Sequence, residues 1–476
     1  MDICLHSAGC GGCTFQGKYY SEQLKIKEAE LLDLLEKNNV KPLEYLGINP
    51  APDVYGYRNK MEYTFGNEIK DGPLTLGMHK KRHFMSIVTV DNCQIVPEDF
   101  NIILSAVLDF AKMEKLSFYN KKNHKGFLRN LVVRKGINTG ELLINIVTST
   151  QMDLDREKFV DILMRLELEG NIVGILHTYN DGLADAVNCD RLDILYGRDY
   201  YVEKISNLNF KVSAFSFFQT NVKAVDILYN RAVAMLDDIE GKSIFDLYCG
   251  TGTISQIVAQ KAKKVTGIEI VREAVDSATE NAKLNGIHNC KFICGDVFEV
   301  LDSMREVPEV LIVDPPRAGI TPKAMDKLIS YDVNQILYIS CNPKTLAPNL
   351  RYFEYYGYKV EKLEGYDNFP MTKHLETVAL LSKIDVDKHI DVEIKLDELD
   401  LTSAESKATY VQIKEYILEK FDLKVSTLYI AQIKKKCGIV LREHYNKSKK
   451  EKQAIPQCTL EKEEAIMDAL KHFKMI

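Results

Sequence analysis

The sequence predicts an α/β protein organised around an open, largely parallel sheet, and three stretches predict it. Ile244-Phe-Asp-Leu-Tyr-Cys-Gly-Thr-Gly-Thr253 is an apolar strand that breaks into a glycine turn and opens a helix over 254–261. Val265-Thr-Gly-Ile-Glu-Ile270 is a second strand, ending in an acid. Leu311-Ile-Val-Asp-Pro-Pro-Arg317 is another, closed by two prolines that stop sheet pairing. Ligands of open α/β sheets bind outside the carboxyl ends of the strands. Asp246, Glu269 and Asp314 stand at or near such ends, so three acids converge on one rim.

The turn after the first strand places Gly250 and Gly252 where a ligand must approach the backbone closely. Glu269 follows Gly252 by seventeen positions. That is near the offset of about 20 at which an acid binds ribose hydroxyls in a βαβ nucleoside site. The glycine pattern lacks the third glycine of the dinucleotide fingerprint, so the pair points to a ribose-bearing cofactor without fixing which one. Asn289–Ile293 reads as a third strand with Asp296 just beyond it, placed to bond an adenine amino group. Ile336-Leu-Tyr-Ile-Ser-Cys-Asn-Pro343 is the last strand, and it carries a cysteine to the same rim. Strand-end cysteines are ordinarily inert core. Here a helix begins at Lys344, and a helix N-terminus lowers a thiol's pKa, which makes Cys341 the candidate nucleophile.

Earlier in the chain, Cys4, Cys10 and Cys13 sit on a glycine turn without hydrophobic periodicity, as poor core material and good thiolate ligands. A four-thiol site needs one more, and Cys93 is the only other cysteine before Cys189. Zinc ribbons use two close pairs; a triplet plus a distant single suits a [4Fe–4S] cluster better. Unliganded thiols are the plain alternative. The spacing is not the C-x3-C-x2-C of radical enzymes, so a cluster here would be structural. An amphipathic helix follows over 21–38. Short β-branched and aromatic runs at 57–65, 74–79, 86–90, 128–134 and 142–148, separated by glycine turns, predict a mostly antiparallel region. Arg58 and Lys60 beside Tyr57 and Tyr63, and Arg129 beside Phe127, interleave cations with aromatics, as phosphate contacts and base stacking require. Singly, each is ordinary surface.

In order along the chain, Phe217-Phe-Gln-Thr-Asn221, Asp246-Leu-Tyr-Cys-Gly-Thr-Gly252, Asp314-Pro-Pro-Arg317, Ser340-Cys-Asn-Pro343 and His374-Leu-Glu-Thr-Val378 together resemble the S-adenosylmethionine-dependent uracil-5 RNA methyltransferases, close to those acting on 23S ribosomal RNA. The resemblance covers about residues 1–384. It implies a Rossmann-like class I methyltransferase domain and transfer of a methyl group from S-adenosylmethionine to C5 of uridine. It also implies Cys341 as nucleophile, Glu376 as base and a [4Fe–4S] cluster on Cys4, Cys10, Cys13 and Cys93. Gln219, Tyr248, Gly250, Thr253, Glu269, Asp296 and Asp314 would hold the cofactor. A transfer-RNA uracil-5 enzyme and a catalytically silent RNA-binding assembly factor stay open as alternatives. Exocyclic-amine methyltransferases carry an aromatic after Asp-Pro-Pro, where this chain has Arg317; cytosine-5 enzymes use a Pro-Cys pair, where it has Ser340-Cys341.

With 476 residues the chain exceeds a single core. Expected are an iron–sulfur and RNA-binding domain over 1–205, the methyltransferase domain over 206–384, an acidic linker over 385–406 and a small helical domain over 407–476. The last has a helix-turn-helix outline or is a bundle with a basic face. Hydrophobic residues at 46% and charged at 27% fit a globular protein, and no apolar run is long enough for a membrane span. The polar N-terminus carries no secretory signal, so a cytoplasmic location is expected; a monomer without a protein partner is expected as well. The net charge of -6 favours no polyanion, yet residues 54–135 hold fourteen Lys or Arg against eight Asp or Glu.

Overall fold

The computed structural model describes residues 3–183, 187–384, 410–421 and 460–473, together with positions 423, 430, 433, 436 and 437. The acidic stretch 385–406, and the turn and most of the second helix of the helix-turn-helix outline, lie outside the described residues. Two compact units divide the chain at Val386 and Asp387.

The first unit contains two large sheets. The N-terminal one is built from β2 (Lys60–Asn67), β3 (Leu74–Lys80), β4 (His83–Thr89), β5 (Leu128–Lys135), β6 (Glu141–Thr148), β7 (Asn171–Tyr179) and β8 (Arg191–Gly197). Their order is β4-β3-β2-β5-β6-β7-β8, antiparallel except where β6 meets β7 in parallel. That exception has a physical cause: a helix over Arg156–Met164 crosses between those two strands. A two-stranded ribbon follows, β9 (Tyr200–Ile205) against β10 (Leu208–Ser213).

The second sheet has the order β1-β16-β17-β15-β14-β11-β12-β13. Its strands are β1 (Glu44–Asn49), β11 (Ser243–Leu247), β12 (Lys264–Glu269), β13 (Cys290–Cys294), β14 (Val310–Val313), β15 (Gln335–Ser340), β16 (Tyr358–Tyr366) and β17 (Glu376–Lys383). β11, β12, β13, β14 and β15 are parallel, and β17 runs antiparallel between β15 and β16. Both faces are buried, which is why these strands read as continuous apolar runs.

The expected contiguous 1–205 domain differs from this arrangement at its start. The amphipathic helix α1 (Tyr20–Lys37) buries Leu31 and Leu35 in the core of the second sheet, and β1 pairs in parallel with β16 at that sheet's edge. Residues 20–49 therefore serve the methyltransferase-like half. In the second unit, helices over Tyr410–Phe421 and Leu460–His472 pack through Ile413, Ile417, Ile466 and Leu470.

Candidate active site

The turn after β11 is sharp. Tyr248, Gly250 and Gly252 have φ of 63°, 53° and 72°, all left-handed, and a tyrosine held there stores strain of the kind found at ligand sites. The two glycines do different work. A Cβ on Gly252 would stand 2.7 Å from the Phe292 ring, so that glycine lets helix and sheet pack. Gly250 faces nothing within 4 Å and opens onto a cavity of about 530 Å³.

Asp246, Glu269, Asp314 and Glu376 line that cavity together with Gln219, Tyr248, Thr253 and Cys341. Glu269 is oriented by accepting from the Gly250 N–H at 3.1 Å and the Val271 N–H at 3.0 Å. Asp246 accepts the Ser255 hydroxyl on one oxygen, while its other oxygen is buried without a partner. Burial lifts Asp246 and Asp314 to about 7. A cluster of acids with an orphaned oxygen suits a cationic ligand. Gln219 is fixed by Asn59, whose side-chain amide donates to the Gln219 carbonyl at 3.2 Å, and by the Tyr229 hydroxyl at 3.3 Å from its own amide nitrogen. Asp296 departs from expectation. It is exposed, is absent from the cavity lining, and caps the helix over Val297–Ser303 by accepting from the Phe298 and Glu299 N–H groups.

Cys341 and Glu376 meet because of strand register. Ser340 pairs with Thr377 across β15 and β17, so the residue after the first strand and the residue opening the second emerge at the same end. Burial raises the Cys341 thiol, and the charges of Glu376 and Asp314 add to this, while Arg317 opposes it. Glu376 is pushed up to about 8 by burial and then by Asp314, again against Arg317. From sequence Arg317 is one residue of a resembling motif and a mark of what the chain is not, with no role of its own. Its guanidinium acts on both Cys341 and Glu376, and the signal was its place directly after the two prolines.

The loop before Glu376 is fixed from the N-terminal side. Lys27, on α1, pairs with Asp367 at 2.6 Å, with both side chains buried, and donates to the Phe369 carbonyl at 3.2 Å. The Thr14 and Phe15 N–H groups both donate to the Met371 carbonyl at 2.9 Å. A buried pair such as Lys27–Asp367 adds little net stability but is costly to break, so it fixes one loop geometry. Neither residue was singled out from sequence, because nothing local marks a lysine on an amphipathic helix as buried.

Cys4, Cys10, Cys13 and Cys93 line a separate cavity of about 20 Å³. The Gly12 N–H donates to the Cys10 sulfur at 3.4 Å, and burial pushes Cys13 up to about 11 and Cys93 to about 12. Among the described residues, no three His, Cys, Asp or Glu side chains stand in metal-ligating geometry.

The three predicted RNA contacts separate. Arg58 is half-buried, its Nε donating to the Lys60 carbonyl at 3.1 Å. Lys60 pairs with Glu62 at 2.6 Å. Arg129 is the correction. It is 6% exposed, donates to the Asn180 and Gly182 carbonyls and lies 4.3 Å over the Tyr119 ring, so it is a tie inside the fold and not a free phosphate contact.

Among known proteins, residues 19–384 match the family model described as tRNA (uracil-5-)-methyltransferase. An uncharacterized RNA methyltransferase of Caldanaerobacter subterraneus is 50% identical over 380 residues, 80% of this chain and 84% of that protein. A second, from Clostridium acetobutylicum, is 50% identical over 374 residues, 79% and 82% of the two chains. The crystal structure of Pyrococcus abyssi tRNA (uracil-54, C5)-methyltransferase with S-adenosyl-L-homocysteine superposes with a TM-score of 0.65 at 27% identity, covering 78% of this chain and 86% of that one. By the family model over residues 19–384 and by these identities, this chain belongs to the RNA (uracil-5-)-methyltransferase family.

Proposed function

We propose that this protein methylates C5 of a uridine in RNA, with Cys341 as covalent nucleophile and Glu376 as base, and that its substrate is 23S ribosomal RNA. The observation that carries the reading is a thiol and a carboxyl delivered by adjacent strands to the edge of an acid-lined cavity. C5 of uracil is too weak a nucleophile to be methylated unaided. Addition of the Cys341 thiolate to C6 moves the C5–C6 electron pair toward O4, giving an enolate whose C5 attacks the methyl carbon. Glu376 then takes the C5 proton, the C5–C6 double bond re-forms and the thiolate leaves. S-adenosylmethionine supplies the methyl group as a cationic sulfonium and leaves as the neutral thioether. Gln219, Tyr248, Gly250, Thr253, Glu269 and Asp314 would hold it, and the unpartnered oxygen of Asp246 supports a cation there. A uridine inside a stack cannot reach Cys341, so it must be flipped out or lie in a loop. Arg58 is retained as an RNA contact, and Lys60 only if its pairing with Glu62 opens.

Transfer of labelled methyl groups to protein-free 23S ribosomal RNA, recovered as 5-methyluridine, is the expected result. A specific observation favours transfer RNA as the second reading, since both the family description and the Pyrococcus abyssi enzyme name it. Label entering only unmodified tRNA transcripts would move the substrate there. Label in neither RNA would end the reading.

We propose that Cys4, Cys10, Cys13 and Cys93 would hold a [4Fe–4S] cluster: four thiols on one cavity are the donor type it takes, although in the described residues they do not stand in metal-ligating geometry and the cavity would have to widen. It would tie the N-terminal segment to the Cys93 loop and take no part in methyl transfer. Cys93→Ser is expected to remove the visible iron–sulfur absorbance of the purified protein; an unchanged spectrum would strike Cys93 from the ligands.

A further inference from the structure

A second cavity, of about 230 Å³, also has Cys341 in its wall. Cys341 and Arg317 belong to both walls, so the two cavities meet at the candidate nucleophile. Their ionisable linings differ in kind. The larger is lined by Asp246, Glu269, Asp314 and Glu376; the smaller by Arg317, Lys344 and Lys373. Glu30 is the acid that faces the smaller one, and Lys27, also on its wall, is committed to Asp367. Among the described residues, Lys344 and Lys373 form no ion pair and their side chains make no hydrogen bond; both are exposed.

We propose that this smaller cavity seats a phosphate group of the RNA strand that carries the target uridine. The proposal rests on the reading of the larger cavity as a uracil and cofactor site, and adds where the backbone of the reacting nucleotide goes. A base that bonds to Cys341 from the larger cavity must carry its sugar and phosphate out of it, and a wall of carboxyl groups, in so far as they ionise, disfavours a phosphate. The basic side offers two unpaired lysines and a guanidinium to a charge that water would otherwise solvate. Its volume is below the roughly 300 Å³ at which whole small-molecule pockets begin, which suits a phosphate better than a second nucleoside. His374 completes the wall. Burial, and then Arg317, Lys27, Lys373 and Arg58, hold its pKa below the usual value, so its imidazole is neutral at pH 7 and can donate to a phosphate oxygen.

The test uses the full chain and the double variant Lys344→Gln/Lys373→Gln. Binding is read with an oligouridylate, a sequence-independent probe, and turnover with whichever RNA accepts the methyl group. Oligouridylate affinity is expected to fall about tenfold, and the slope of its logarithm against log salt to become shallower by about 0.7 for each phosphate that the variant no longer neutralises. In turnover the loss should appear in KM for RNA and not in S-adenosylmethionine affinity, and Lys344→Arg/Lys373→Arg should restore it. Unchanged affinity and salt slope would overturn the proposal while leaving uracil methylation standing. If no RNA accepts a methyl group, the functional reading fails, and the oligouridylate titration still decides the cavity because it reads binding alone.

Discussion

Cys341→Ala is expected to reduce turnover by more than about 10⁴-fold, the scale on which enzymes fall when a covalent nucleophile is deleted. The thiol is half-buried, one residue past β15, and lines both the acidic cavity and the basic one. Its pKa is raised by burial, then by Glu376 and Asp314, so the resting site holds a thiol and not a thiolate. Activation therefore has to come from charge arriving in the site. Arg317 supplies part of it, and a cationic cofactor facing Asp314 and Glu376 would cancel the two groups that oppose ionisation. The Ala variant is expected to bind S-adenosylmethionine as the parent does by calorimetry, because the acids of the larger cavity are untouched. It should also fail to form a covalent complex with RNA. An Ala variant with parental turnover would remove Cys341 from the chemistry altogether.

How much of this could be read from the chain depends on whether a residue's role is set locally. The strands that carry Asp246, Asp314 and Cys341 are apolar runs closed by glycine or proline, and that of Glu269 ends in the acid itself; each is legible alone because a parallel strand buried on both faces has one appearance. Resemblance to a family points to Cys341 and Glu376; their meeting is a consequence of the Ser340–Thr377 register, which no local pattern encodes. Residues 20–49 read as part of the wrong neighbour for the same reason, since β1 finds β16 across more than three hundred positions. Arg129 and Asp296 fail differently. Both carry the right chemistry for the expected contact, but the fold spends one on the Asn180 and Gly182 carbonyls and the other on a helix cap. Most side-chain hydrogen bonds go to backbone or water, so a polar side chain near a site need not face a ligand.

Glu376→Gln is expected to trap the reaction halfway. The amide matches the carboxyl in size and cannot take a proton, so Cys341 can still add to the ring and C5 can still be methylated, but the C5 hydrogen stays. Without its removal the double bond cannot re-form and the sulfur cannot leave. A protein–RNA adduct should therefore accumulate and survive a denaturing gel, while turnover falls by about 10²- to 10⁴-fold, the usual worth of a general base. The pH dependence has a definite sign. Burial, and then Asp314, lift the folded Glu376 to about 8, above the usual carboxylate range. Between that range and about 8 the folded enzyme holds more protons than the unfolded chain, so its stability falls as pH rises through this window, while the fraction of ionised base grows. Turnover limited by proton removal should accordingly climb toward pH 8 as thermal stability without cofactor declines, and the Gln variant should lose both that climb and its share of the decline. Absence of an adduct with Cys341 intact, or a Gln variant whose pH profile matches the parent's, would assign the proton to another group.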